Sequence, residues 1–133
     1  MISFFRKYLG NIYIPVLWSV VIGILLTLPG SVLPNEGSFK IPHFDKLVHM
    51  GMFGGFVFSW NMYLSTKPMP LKRLLRLFFV VFMISFVYGI GSEYVQKYFI
   101  PQRDFDEADI IADMIGASLA YGFSNITLLK NIS

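Results

Sequence analysis

The sequence contains no cysteine and only two histidines, His43 and His49. Disulfides and thiolate chemistry are therefore excluded, and because His43 lies in the loop before His49 no two-histidine metal-ligand spacing is present. No metal or other cofactor is expected. Charge is also scarce: 14% of the residues are Asp, Glu, Lys or Arg, against about 25% in an average soluble domain. So few charges cannot readily coat a surface exposed to water, and much of this one is expected to face lipid. Internal repeats, low-complexity tracts and a phosphate-cradling glycine loop are all lacking.

What is present is apolar. Hydrophobic residues make up 55% of the chain and aromatics 17%, and the mean hydropathy is +0.60. Four apolar segments stand out, over residues 12–28, 46–64, 74–99 and 109–129. Each is close to the ~20 residues (roughly 17 to 25) that span a hydrocarbon core. The sequence therefore predicts an all-α integral membrane bundle of four transmembrane helices, formed as one domain over residues 1–133. The first segment follows basic residues but is long and lacks a small-residue cleavage site, so it reads as a retained helix. Pro29-Gly30 ends it, and Pro101 ends the third. The longest connection, Ser31 to Asp45, is punctuated by Pro34, Asn35, Gly37 and Pro42.

The basic residues give an orientation. Arg6, Lys7, Lys67, Lys72, Arg73, Arg76 and Lys130 fall on one side of such a bundle, and Lys40, Lys46, Lys97 and Arg103 on the other. The richer side is expected to be cytoplasmic, with both termini inside. The net charge of +3 is thus assigned to membrane topology, and no nucleic-acid partner is expected. All acidic residues, Glu36, Asp45, Glu93, Asp104, Asp106, Glu107, Asp109 and Asp113, lie on or near the outer side. That face is chemically singled out.

Small residues recur every four positions in two places: Gly51, Gly55 and Ser59, then Ala112, Gly116, Ala120 and Ser124. Residues four apart share a helix face, and small side chains permit close helix approach. These stripes are expected to pack the second and fourth helices against neighbours or on each other. Trp18 and Trp60 read as interfacial anchors.

Polar residues gather at the outer helix ends. Asp45, Lys46 and His49 open the second helix, Glu93 and Gln96 lie near the end of the third, and Asp109 and Asp113 begin the fourth after Arg103. Ionisable groups inside a membrane segment cost ~2.5–3.5 kcal/mol on insertion scales, so these should meet partners. One reading is a structural ion-pair network. A second is a metal site on His49 and the carboxylates, weakened by the lack of a second histidine. A third is recognition of an anionic head by Arg103 and Lys46, opposed by the acids crowding the same loop. No serine is set against a histidine and an acid for nucleophilic catalysis.

The motifs Asp45-Lys46-Leu47-Val48-His49, Glu93-Tyr94-Val95-Gln96, Arg103, and Asp109 through Gly116 resemble the VanZ-like family of bacterial membrane proteins, over roughly residues 14 to 125. Asp113 departs from that family's pattern, which has asparagine there. The resemblance implies a multi-pass protein of a bacterial inner membrane and a link to glycopeptide susceptibility, notably teicoplanin; it carries no assigned reaction. The expected function is binding of an envelope component, a lipid headgroup or cell-wall precursor, through Asp45, Lys46, His49, Glu93, Gln96, Arg103, Asp109 and Asp113. The alternatives are an enzyme on a lipid-linked substrate with Glu93 or His49 as acid or base, and a structural scaffold for other membrane proteins.

Overall fold

A computed structural model describes residues 1–32 and 43–130. The expected loop features Pro34, Asn35, Glu36, Gly37, Lys40 and Pro42 lie outside the described residues. The described chain forms five α-helices: α1 (Ile2–Leu9), α2 (Tyr13–Leu26), α3 (Phe44–Ser65), α4 (Leu71–Phe99) and α5 (Glu107–Leu128), with a short 3-10 turn at Gly30–Val32.

Local chemistry explains the boundaries. Asn11 Oδ1 accepts the Tyr13 amide, and Pro15 sits in the first turn of α2, where its missing N–H costs no helical bond. α4 stops because Ile100, extended at φ −106° and ψ 121°, precedes Pro101 and is steered away from helical angles. Asp106 caps α5, its Oδ1 accepting the Ala108 amide at 2.8 Å. Gln102, at φ 59°, takes a left-handed conformation in the turn from α4 to α5.

The four-span bundle is not what these helices form. Among the described residues, only Leu71–Phe99 is long and apolar enough to cross a membrane. A second span arises only if Ile2–Leu9 and Tyr13–Leu26, bent by 68° at their junction, act as one. The reasons are physical. α2 has 14 residues, which reach about 21 Å at 1.5 Å per residue, short of a hydrocarbon core of about 30 Å. α3 and α5 have the length, at 22 residues each, but Asp45, Lys46, His49 and Asn61 dilute one and Glu107, Asp109, Asp113 and Asn125 the other. The basic stretch ahead of the first apolar segment is itself a helix, α1.

α3 packs most extensively on α5, and α4 lies against both; α2 leans on α3, and α1 touches α3. The α5 stripe is used as expected. A Cβ on Gly116 would stand 2.2 Å from the Met50 carbonyl oxygen, and one on Gly54 would stand 3.1 Å from the Gly116 oxygen. The α3 stripe divides instead. A Cβ on Gly51 would meet nothing, whereas Gly55 receives the Trp18 indole of α2. Trp18 Nε1 donates to the Met52 carbonyl at 2.9 Å and Trp60 Nε1 to Ser19 Oγ at 3.1 Å. Both indoles therefore serve as α2–α3 fasteners as well as apolar surface.

One apolar core joins Ile22 and Leu26 of α2 to Phe53, Phe56 and Val57 of α3, Val81 of α4 and Ala117 of α5. A second, nearer the other end, joins Met62, Leu74, Phe78 and Leu128. Much apolar surface stays outside, including Val87 at 72%, Ile126 at 70% and Leu119 at 63% exposure. Exposed area of this kind marks contact with lipid or another apolar partner.

Candidate functional site

The start of α3, the last turns of α4 and the start of α5 meet in one polar layer. α5 can approach α3 because Gly116 lacks a side chain, and it can seat Asp113 against α4 because Gly89 does. A Cβ on Gly89 would lie 2.9 Å from Asp113 Oδ2. Two bare helix positions thus open the room in which the charged groups sit.

Lys46 occupies one half of the layer. Its Nζ donates to Asp106 Oδ2 at 2.5 Å and to Asp109 Oδ1, and it pairs with Asp45 Oδ2 at 2.8 Å. Partial burial works against its charge, but hydrogen bonds to Asp106, Asp109 and Asp45 outweigh this and raise Lys46 above its ordinary 10.5. The same bond lowers Asp106. For Asp45, slight burial pushes upward, yet the bond and charge of Lys46 prevail and the carboxyl is lowered.

His49 occupies the other half and is buried. Its Nδ1 lies 2.8 Å from Asp113 Oδ1, and its Nε2 lies 3.5 Å from Asp109 Oδ2. Burial disfavours the imidazolium, but the Asp113 hydrogen bond and the charges of Asp109, Asp113 and Glu93 overcome it, so His49 is raised above 6.5. Asp113 is raised above 3.8, first by its own burial and against the pull of His49. Glu93 is fully buried. Its Oε2 accepts the Asp106 amide at 3.0 Å, while Glu93 Oε1 and Asp113 Oδ2 have no hydrogen-bond partner among the described residues.

Of the eight residues singled out in the sequence, six converge: Asp45, Lys46, His49, Glu93, Asp109 and Asp113. Gln96 is buried but faces elsewhere, donating from Nε2 to the Leu26 carbonyl at the end of α2, at 2.9 Å. Arg103 is half-buried in the α4–α5 connection and pairs with none of these carboxylates. Sequence reasoning left Asp106 out of the site, although it touches Lys46, supplies its amide to Glu93 and caps α5. The available signal was an Asp three residues before Asp109 at a helix start, where capping residues belong.

On the other face of α4, at the same turns, lies a groove of about 290 Å³ lined by Gly23, Leu26 and Thr27 of α2 and by Val87, Tyr88, Gly91, Ser92 and Val95. Its walls are nearly all apolar. The Gln96–Leu26 bond stands beside it, so α4 carries an apolar slot on one side and the charged layer on the other.

No family model matches the chain, and no solved structure matches it. It is similar to an uncharacterized protein of Schizosaccharomyces pombe, 32% identical over 103 residues, which cover 76% of this chain and 59% of that protein. The chain thus spans about three fifths of the length of the relative it matches. The expected placement as a four-span protein of a bacterial inner membrane, with both termini cytoplasmic, is corrected on two grounds: among the described residues one helix is long and apolar enough to cross a membrane, or two segments if the bent pair acts as one, and the relative is from a yeast.

Proposed function

We propose that the protein binds an amphiphile, a lipid headgroup or lipid-linked cell-wall precursor, with its polar head at the charged layer and an apolar chain in the α2–α4 groove. The observation that carries this reading is the juxtaposition on α4. The apolar groove and the Glu93 carboxylate occupy the same turns of one helix, with Ser92 lining the groove and Glu93 the next residue. The layer itself holds five carboxylates against Lys46 and His49, so the preferred head is cationic, zwitterionic or rich in hydroxyls. The expected role of Arg103 and Lys46 as an anion clamp is weakened, because Lys46 is already held by three acids. The likeness of the motifs to VanZ-like proteins fits an envelope ligand, and altered teicoplanin susceptibility on expression would extend the reading.

The test is a native mass spectrum in mild detergent with lipids of differing heads, for the parent, Gly91→Leu and Glu93→Gln. Gly91 lines the groove and a Cβ there meets nothing, so the leucine is introduced to crowd the groove. An adduct kept by the parent and lost from both variants is the expected result. Identical adducts on all three proteins would sink the reading.

The His49–Asp113 pair favours a second reading, a membrane-associated enzyme acting on a lipid-linked substrate. A carboxylate that orients an imidazole is an arrangement used for general acid–base catalysis. Turnover of a labelled lipid-linked precursor, abolished in His49→Gln, would favour it over simple binding.

A further inference from the structure

The layer contains two triads of metal-competent donors that share Asp109. In Asp45, Asp106 and Asp109, the chain supplies its own cation, Lys46. In His49, Glu93 and Asp109, one donor atom from each lies within 4.8 Å of the others, and Lys46 reaches this triad only through Asp109 Oδ1, with no lysine or arginine among the described residues paired with Glu93.

We propose that His49 Nε2, Glu93 and Asp109 bind one divalent transition-metal ion of the Mn²⁺ or Zn²⁺ class, with Asp113 as the carboxylate that orients His49. Four observations converge. The first is spacing: His49 Nε2 and Asp109 Oδ2 stand 3.5 Å apart, close to the separation of two donors that each reach an ion at about 2.0–2.2 Å. The second is the orientation of the ring. An ionised Asp113 can only accept, so the 2.8 Å contact puts the hydrogen on Nδ1 and leaves the Nε2 lone pair facing Asp109. This carboxylate–histidine arrangement is the usual support for a ligating imidazole.

The third is the unpartnered oxygen. Glu93 is 0% exposed, yet its Oε1 has no hydrogen-bond partner among the described residues; a buried carboxylate oxygen left so is costly, and an ion would satisfy it. The fourth is charge. Two carboxylates and a neutral imidazole balance a dication, whereas Lys46 engages only the Oδ1 side of Asp109. One nitrogen and two oxygen donors favour a borderline metal over Ca²⁺, which takes six to eight oxygens. The absence of a second histidine, which argued against a metal in the sequence, is compensated by a buried carboxylate. If the amphiphile has a phosphate in its head, the ion would supply the counter-charge that the acids deny it; that extension rests on the amphiphile-binding reading.

The experiment uses the full chain purified in mild detergent, stripped with EDTA and titrated with Mn²⁺ alone, with no lipid added. Electron paramagnetic resonance reads the loss of the free-ion signal and any nitrogen coupling on the bound ion. The expected result is one saturable Mn²⁺ per chain with coupling to a single imidazole, displaced by Zn²⁺ and unchanged in His43→Gln. His49→Gln and Glu93→Gln should lose saturable binding at parent-like helix content by circular dichroism. Asp113→Asn should weaken it about 10- to 100-fold. No saturable binding to the parent, a bound ion without nitrogen coupling, or unchanged binding in His49→Gln would overturn the site. The parent measurement decides even where a variant fails to fold. Because no lipid is present, its failure leaves the amphiphile reading to be judged by its own adducts.

Discussion

The two halves of the polar layer solve the same problem differently. Both gather carboxylates where helix ends meet, and both use Asp109. Around Lys46 the chain neutralises its acids internally, with an ammonium in reach of three carboxylates, two of them about half exposed at 52% and 46%. Around His49 the acids are buried more deeply, and no lysine or arginine among the described residues pairs with Glu93 or Asp113. The His49 imidazole stands there, and two carboxylate oxygens lack a hydrogen-bond partner among the described residues. The first half holds the fold together. The second carries the unpartnered oxygens on which the proposed metal site rests.

The variant expected to break both halves at once is Gly116→Val. Its new atoms would meet the Met50 backbone rather than a flexible side chain, so α5 must shift from α3 and carry Asp109 and Asp113 with it. The expected loss is at least about 1–3 kcal/mol, the range for overpacked cores, read as a fall in melting temperature in detergent together with loss of bound Mn²⁺.

Lys46→Met should break only the first half. Removing one partner from a fully buried ion pair costs about 3–5 kcal/mol; the exposure of Asp45 and Asp106 reduces this to about 2 kcal/mol. Thermal unfolding checks it, and a melting temperature equal to the parent's would mean that the triad contributes nothing.

A pH series sharpens the comparison on the second half. With metal removed, His49 is raised by Asp113, Asp109 and Glu93 against its burial, and Asp113 is raised by burial. A raised folded value gives stability that is fully present below the unfolded value and is lost as pH rises through the folded one. Stability of the metal-free chain should therefore decline as pH climbs above about 6.5, the ordinary histidine value, and His49→Gln should flatten that decline. A parent profile that rises over this window would contradict it. The smallest effect belongs to Asp45→Asn, at most about 0.5 kcal/mol, since its carboxylate is the most exposed partner of Lys46.

The sequence made the helices and most of the site legible, for identifiable reasons. Long apolar segments bounded by Pro29-Gly30 and Pro101 located α2 and α4, and four-residue spacing placed His49 with Asp45 and Asp113 with Asp109. What it obscured was membrane crossing. Apolar composition alone made α3 and α5 look like spans, whereas the polar residues that build the site dilute those same helices. The sequence also could not separate Gln96, one turn from Glu93, from the cluster; whether a side chain points at α2 or α3 depends on rotation and packing. Arg103 looked central because it is a cation near acids, but Lys46 reached them.

The bond from Gln96 to Leu26 has a neighbour: the Gly30 amide donates to the Pro101 carbonyl at 3.1 Å. Together they latch the exit of α2 to the end of α4 at two points, Leu26 and Gly30 on one side of the join and Gln96 and Pro101 on the other. Pro101 begins the short connection that carries Asp106, so the groove wall and the Lys46 ligand are mechanically one piece. A guest that wedges α2 away from α4 must either unfasten that latch or drag the connection with it. Were the apolar slot to take a guest, its occupancy would reach the charged layer through the backbone, with no moving domain required.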